Sequence, residues 1–374
     1  MDLDLTDEQK SLQETLRRFL ETEAPLARIR EQSDFADGYQ QKYWQQLAEF
    51  GLTSMLVPAE LGGGSLTDAP IEDLSIMAEE IGRAVAAGPF VPCNVVAAAL
   101  SNADQPGRFT DVVAGLVGGE LTAAWAVAEP LSWDGRNCRT RVTEANGNLM
   151  LNGGKILVEG LPTADHFLVV AQAPDGLVQV LVPAGAPGVM AQHQNSLDLV
   201  RRFGSVEFTD VAIPADAIVS SASTSAADIE RQLQIAIALQ CAETVGAVDR
   251  VFDMTLEYVQ TRVAFGRPIG SYQALKHRLA DHKMWLEASF GLAAGLAQSI
   301  AAKEAITSEL ASVAKVHIDQ HAVETIQDCV QMFGGIGLTW EHDIHLFLRR
   351  VSTNYALYGT PDDHRERLCG LAGL

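Results

Sequence analysis

Apolar residues recur at helical spacing at both ends of the chain and at strand spacing in its middle. Near the N-terminus Leu12, Leu16 and Leu20 fall on one helical face. Ahead of them, Thr6 and Gln9 in "TDEQ" have the spacing of a capping box, in which each side chain satisfies a free helix-end amide. Helical spacing runs on to about residue 118, broken by the Gly-rich stretch "FGLTSMLVPAELGGGS". From about 119 to 222 the pattern changes. "NGNLMLNG" and "HFLVVAQAPDGLVQVLVPAG" read as strands joined by turns at Asn146-Gly147 and Pro174-Asp175-Gly176, and "VEFTDVAIP" reads as another strand. From about 223 the helical period returns, with Val245, Val248, Phe252, Leu256 and Val259 on one stripe. Further helical patterns cover roughly 273–303 and 305–332. The expected architecture is α+β: an N-terminal helical domain (1–118), a middle β barrel or sandwich (119–222) and a C-terminal helix bundle (223–374).

Composition narrows the function. The 374 residues suffice for two or three domains around a large core. A net charge of −21 argues against nucleic-acid binding, which needs a basic face. It leaves room for an anionic small ligand held locally by a few Lys or Arg. No apolar run reaches the ~18–20 residues of a membrane span. The start "MDLDLTDEQK" is acidic and polar, unlike a secretory signal, so the expected location is cytoplasmic. The five cysteines form no CxxC pair and read as buried free thiols. No group of residues has metal-ligand spacing.

Five segments, in order, carry a resemblance: "LTDEQKSLQETLRRFL", "GLTSMLVPAELGG", "VEFTDVAIP", "YVQTRVAFGRPIGSYQALKHRLAD" and "QMFGGIGLTWEHDIHLFLRR". Together they resemble the acyl-CoA dehydrogenase family over nearly the whole chain. The resemblance implies an N-terminal helical domain, a middle β domain, a C-terminal four-helix bundle, FAD as cofactor and usually a tetramer. The family's reaction is α,β-dehydrogenation of an acyl-CoA thioester. It needs a base for the α-proton, a flavin N5 for the β-hydride and hydrogen bonds that polarise the thioester carbonyl.

Residue by residue, the resemblance is uneven. Arg262 in "RVAFG" matches the arginine that binds the FAD pyrophosphate of a neighbouring subunit, with Phe265 and Gly266 in the following turn. A planar, always-charged guanidinium suits phosphate. Read without the resemblance, Arg262 simply caps a helix. Gln273 matches a position near the adenine, and Gln331, Gly334 and Gly335 match the segment along the adenosine, where glycine permits close backbone approach. The flavin-ring side departs. Where the family has "TEPGAGSD", this chain has "AVAEPLSWD": Glu129 and Pro130 are kept, Ala128 replaces the hydroxyl residue, and Ser132 is a candidate for the serine's role. Where the family has "WITNG", Leu157 replaces the Trp and Glu159 the Thr near flavin N5. Glu159 either disfavours reduced flavin or faces solvent.

The usual base precedes a Gly-Thr pair. Anchored on Gly359 and Thr360, that position is Tyr358, a phenol and a poor base at neutral pH; the same register puts Arg349 on the family's arginine. Thr360 itself is counted with the cofactor-binding residues. The alternative base position on an earlier helix falls on Ala236. Glu243, two turns beyond, is a substitute candidate; Asp362 and Asp363 are weaker ones, and Glu341 and Asp343 read as structural partners of His342, His345 or Arg349.

Three functions follow. The pattern best fits the base-lacking subunit of a heteromeric α2β2 acyl-CoA dehydrogenase, like those of steroid-degrading bacteria, completing the FAD site of its partner. The alternatives are a self-sufficient homotetramer using Glu243, and a flavin-free structural or regulatory homologue, against which the retained Arg262, Gln331 and glycine pair speak. For the catalytic readings the ligand is an acyl-CoA and the electron acceptor an electron-transfer flavoprotein.

Overall fold

The computed structural model describes residues 4–374 except 34, 36, 146, 147 and 162. The expected Asn146-Gly147 turn therefore lies outside the described residues. Among those described, six helices come first: α1 (Asp7–Glu23), α2 (Leu26–Gln32), α3 (Gln41–Glu49), α4 (Pro70–Ala84), α5 (Phe90–Ser101) and α6 (Thr110–Val117). Thr6 and Gln9 make the capping box of α1, and Leu16 and Leu20 are buried with Leu12 packed beside them. Gln9 also donates to Asp73 of α4 at 2.9 Å, so the cap fastens α1 to its neighbour.

Strands follow: β1 (Ala123–Ala126), β2 (Arg141–Ala145), β3 (Asn148–Glu159), β4 (His166–Ala173), β5 (Gly176–Pro183), β6 (Val189–Gln194), β7 (Phe203–Ile213) and β8 (Ile218–Ser220). They form one sheet in the order β6-β7-β3-β2-β4-β5-β8, with β1 parallel to β4. Its own core includes Val158, Phe167, Val169, Val180 and Phe208. Strand β3 slips register against β7 between Lys155 and Val158. Such a bulge re-aims side chains. Here Lys155 turns fully inward and Leu157 sits at φ 53°.

The helices then resume: α7 (Ser225–Thr261), a tight hairpin of β9 (Val263–Ala264) and β10 (Arg267–Pro268), then α8 (Gln273–Ala301), α9 (Thr307–Phe333), α10 (Ile344–Ala356) and α11 (Pro361–Leu371). Three long helices and two short ones thus make the C-terminal bundle. The stripe predicted on α7 is inward: Val245, Val248, Phe252 and Val259 are buried and Leu256 is half-buried. Helices α4 and α7 touch backbone to backbone. A Cβ at Gly82 would stand 1.8 Å from the Glu243 carbonyl oxygen, and one at Gly246 1.9 Å from that of Glu79.

Candidate active site

The end of α10, the β3 bulge and the loop after β1 meet at one small cavity. Ala128, Leu157, Glu159 and Tyr358, all singled out in the sequence, line it together with Trp125 and Trp133. Tyr358 sits at φ 57° and stacks on Trp125 with ring centroids 6.1 Å apart. Burial raises the phenol's pKa, and nearby Glu159 adds to the effect, so no phenolate base is available here. The cavity has a volume of about 30 Å³. That is room for a water or two.

Next to it lies a buried ionic cluster. Arg201 forks onto both oxygens of Glu159, at 2.7 and 2.5 Å. Its remaining nitrogen donates to Asn354 Oδ1 at 2.6 Å and to Glu243 Oε2 at 3.2 Å. Arg350, fully buried, pairs with Asp198, donates to Glu243 Oε1 at 2.6 Å and reaches the Ala86 carbonyl at 3.0 Å. Asn354 donates to Glu243 Oε2 at 3.1 Å and to Thr244. One arginine, Arg350, thereby ties the N-terminal helices, the sheet region and the bundle together. Burial alone would lower the guanidinium of Arg201, but Glu159 and Glu243 more than offset it and its pKa rises. The Asp198 carboxyl is lowered because Arg350 and its other partners outweigh its burial. The three carboxylates outnumber the two guanidiniums, and burial pushes Glu159 up despite Arg201.

Glu243 therefore has neither oxygen free to take a substrate proton. This corrects its reading as a substitute base: two arginines and an asparagine hold it. Glu159 is buried and ion-paired rather than facing solvent. Ala236 is buried on α7 with no group to offer. Asp363 and Thr360 form the capping box of α11, so Thr360 faces that helix end with its hydroxyl committed. Asp362 pairs with Arg365 at the surface. Asp343 pairs with Arg30, His345 Nε2 lies 3.2 Å from the Trp340 carbonyl, and Arg349 donates to the Leu197 carbonyl at 3.1 Å. Ser132 closes a tight turn with Glu129 through both backbone amides, and its hydroxyl accepts from Asn137 N. Glu129 itself meets the buried Lys155 at 2.7 Å and the amides of Arg139 and Thr140. Burial opposes its ionisation, yet these partners hold its carboxyl down at about 2.

The other named residues lie away from this cavity. Arg262 caps the C-terminus of α7, is exposed, and has no side-chain partner among the described residues. Phe265, at the hairpin tip, is 96% exposed at φ 52°. Gly266, Gly334 and Gly335 have open space where a Cβ would be. Gln273 and Gln331 are exposed at the ends of α8 and α9. Tyr258 links the two segments: its hydroxyl donates to the Phe333 carbonyl at 3.3 Å, one turn before Arg262 and beside Gly334. Arg201, Arg350, Asn354 and Asp198 were not picked out in the sequence, although Arg350 ends one of the segments that carry the resemblance.

Comparison with known proteins adds the following. Residues 6–105 match the family description "Acyl-CoA dehydrogenase, N-terminal domain" and residues 227–369 match "Acyl-CoA dehydrogenase, C-terminal domain". Acyl-CoA dehydrogenase IpdE2 of Mycolicibacterium smegmatis is 28% identical over 367 residues, covering 97% of this chain and 98% of that protein. Among solved structures, a variant of the steroid acyl-CoA dehydrogenase Tcur3481-Tcur3483 superposes with a TM-score of 0.87 at 25% identity, covering 98% of each chain. The ChsE4-ChsE5 complex from Mycobacterium tuberculosis gives 0.88 at 22% identity over 100% of this chain and 99% of that one.

Proposed function

The chain belongs to the acyl-CoA dehydrogenase family of FAD-dependent oxidoreductases, and from that premise we propose that it is the non-base-bearing subunit of a heteromeric enzyme. Its partner, a second acyl-CoA dehydrogenase-like chain, carries the base and the flavin ring. The observation that carries this reading is the cavity at Tyr358. At about 30 Å³ it is an order of magnitude below an ordinary ligand pocket. A phenol stands at the position of the base, and an ion pair of Glu159 with Arg201 stands behind it.

FAD fits only part of the residues present. The exposed Arg262 and the unobstructed Gly334 and Gly335 suit a pyrophosphate and the sugar beside it. The Tyr358 cavity does not suit an isoalloxazine ring. A chain built this way lends the phosphate end of a cofactor site and leaves the chemistry to its neighbour. The same split favours this reading over a self-sufficient enzyme, since Glu243 is fully paired. Two structures of like fold are named as pairs of chains, which supports a two-chain assembly. The steroid enzyme among them supports a polycyclic acyl-CoA as substrate. Electrons leave through an electron-transfer flavoprotein.

The test is co-expression with an acyl-CoA dehydrogenase-like chain, followed by assembly mass and flavin count. The chain purified alone should carry little FAD and turn over no acyl-CoA with an artificial acceptor. The co-purified assembly should hold half as many FAD as chains. An active, fully flavinated assembly of this chain alone would overturn the proposal.

A further inference from the structure

A second cavity shares no residue with the Tyr358 cavity. It sits between the α1–α2 corner, the end of α4, the middle of α7 and the turn before α10, with a volume of about 310 Å³. That is the size of a small-molecule pocket. Leu20, Ala24, Leu26 and Ala84 supply apolar wall. Most of the charged wall groups are committed to ion pairs. Arg17 forks onto Glu80 at 2.8 and 2.6 Å, Arg83 pairs with Asp249 and Asp253, and Asp343 pairs with Arg30. Half-buried Arg250 is different: it lines the cavity and has no hydrogen-bond or ion-pair partner among the described residues. Glu21 is exposed at the rim and faces the charge of Arg17.

We propose that this cavity binds a small monocarboxylate with a short apolar tail, its head on the Arg250 guanidinium and its tail against Leu20, Ala24, Leu26 and Ala84. A guanidinium left without an anion in a partly desolvated wall is a standing fork for a carboxylate. The apolar wall favours a hydrocarbon tail over a bare ion. The carboxylates of Glu21, Glu80 and Asp343 set the charge limit: a multiply charged anion such as a CoA phosphate tail meets like charge in the wall. The site is independent of the subunit role proposed above, because it shares no residue with the Tyr358 cavity.

Hexanoate is the probe, with 1-hexanol and inorganic phosphate as the tail-only and head-only controls. Isothermal titration of the full chain should show one saturable hexanoate site and none for either control at millimolar concentration. Arg250→Gln should weaken hexanoate at least tenfold. Ala84→Trp, which fills the cavity without replacing a charged residue, should abolish binding. Absent saturation by hexanoate, equal affinity in Arg250→Gln, or phosphate binding as well as hexanoate would each overturn the assignment.

Discussion

At the residue scale, the Gly-Thr pair near the C-terminus is explained by architecture. A Cβ at Gly359 would meet His364 Nε2 at 2.9 Å and Trp133 at 3.0 Å, and φ there is 92°. Thr360 caps α11. His364, fully buried, presents Nε2 to the Tyr358 carbonyl at 2.9 Å and Nδ1 to the Ser312 hydroxyl at 3.1 Å. A neutral ring donates from Nε2 to the carbonyl and leaves Nδ1 to the Ser312 hydroxyl, which also lies 3.2 Å from the Ser308 carbonyl. Burial brings its pKa down to about 4; the Tyr358 carbonyl opposes the shift, and Lys315 and Arg367 reinforce it. The sign follows from linkage. Between about 6.5 and 4 the unfolded chain binds a proton at this histidine that the folded chain refuses. Its stabilising contribution is therefore complete above 6.5 and lost as pH falls toward 4, a span worth about 3 kcal/mol. In urea titrations at pH 7 and pH 4.5, His364→Gln should lose about 2–3 kcal/mol less than the parent chain between the two pH values. An unchanged pH dependence would remove His364 from the account.

At the element scale, the long periodic helices were legible and their contact was not. The patterns at 273–303 and 305–332 correspond to α8 at Gln273–Ala301 and α9 at Thr307–Phe333, because a sustained 3.6-residue period leaves little alternative. The β3 bulge that aims Leu157 and Glu159 has no comparable signal, since it depends on how β7 pairs. Nor do the glycines of α4 and α7 declare themselves: inside a helical pattern, Gly looks like a weak point. In the fold, Gly82 and Gly246 let two backbones meet, which closes the space between those helices. The consequence is a paired prediction. Gly291, inside α8, has nothing within 4 Å of its Cβ position. Gly291→Ala should stabilise the chain by up to about 1 kcal/mol through helix propensity. Gly246→Ala gains the same propensity but drives a methyl into the Glu79 carbonyl. Overpacking should win by about 1–3 kcal/mol and lower the melting temperature. If both substitutions raised it, the close crossing would not be a constraint.

At the scale of the whole molecule, the order of helices, sheet and helices could be read from periodicity, whereas the lack of a carboxylate at Tyr358 and Ala236 was legible only through the family resemblance. The ionic cluster could be read from neither, because it joins Glu159, Asp198, Arg201, Glu243, Arg350 and Asn354 from three regions of the chain. Removing one partner of such a buried set costs about 3–5 kcal/mol, so it fixes how the regions sit against each other. One cluster of apolar surface that the fold leaves uncovered is at the hairpin and the turn after α9: Phe265, Val263, Ile336, Leu338 and Trp340 are 96, 57, 51, 80 and 51% exposed. A chain with a net charge of −21 resists casual association. A large aromatic side chain on a left-handed turn residue, almost wholly in water, is costly unless another surface covers it. The Tyr258–Phe333 stack, with centroids 4.5 Å apart, holds the hairpin and the Gly334 segment to one frame. Phe265→Asp should then lower the assembly mass measured by light scattering, with or without a partner chain. Because Phe265 makes no core contact, the melting temperature of the isolated chain and its circular dichroism should stay as they were. An assembly of unchanged mass would show that the hairpin tip is not covered by a neighbour, and would take with it the idea that Arg262, three residues before, serves a site shared between chains.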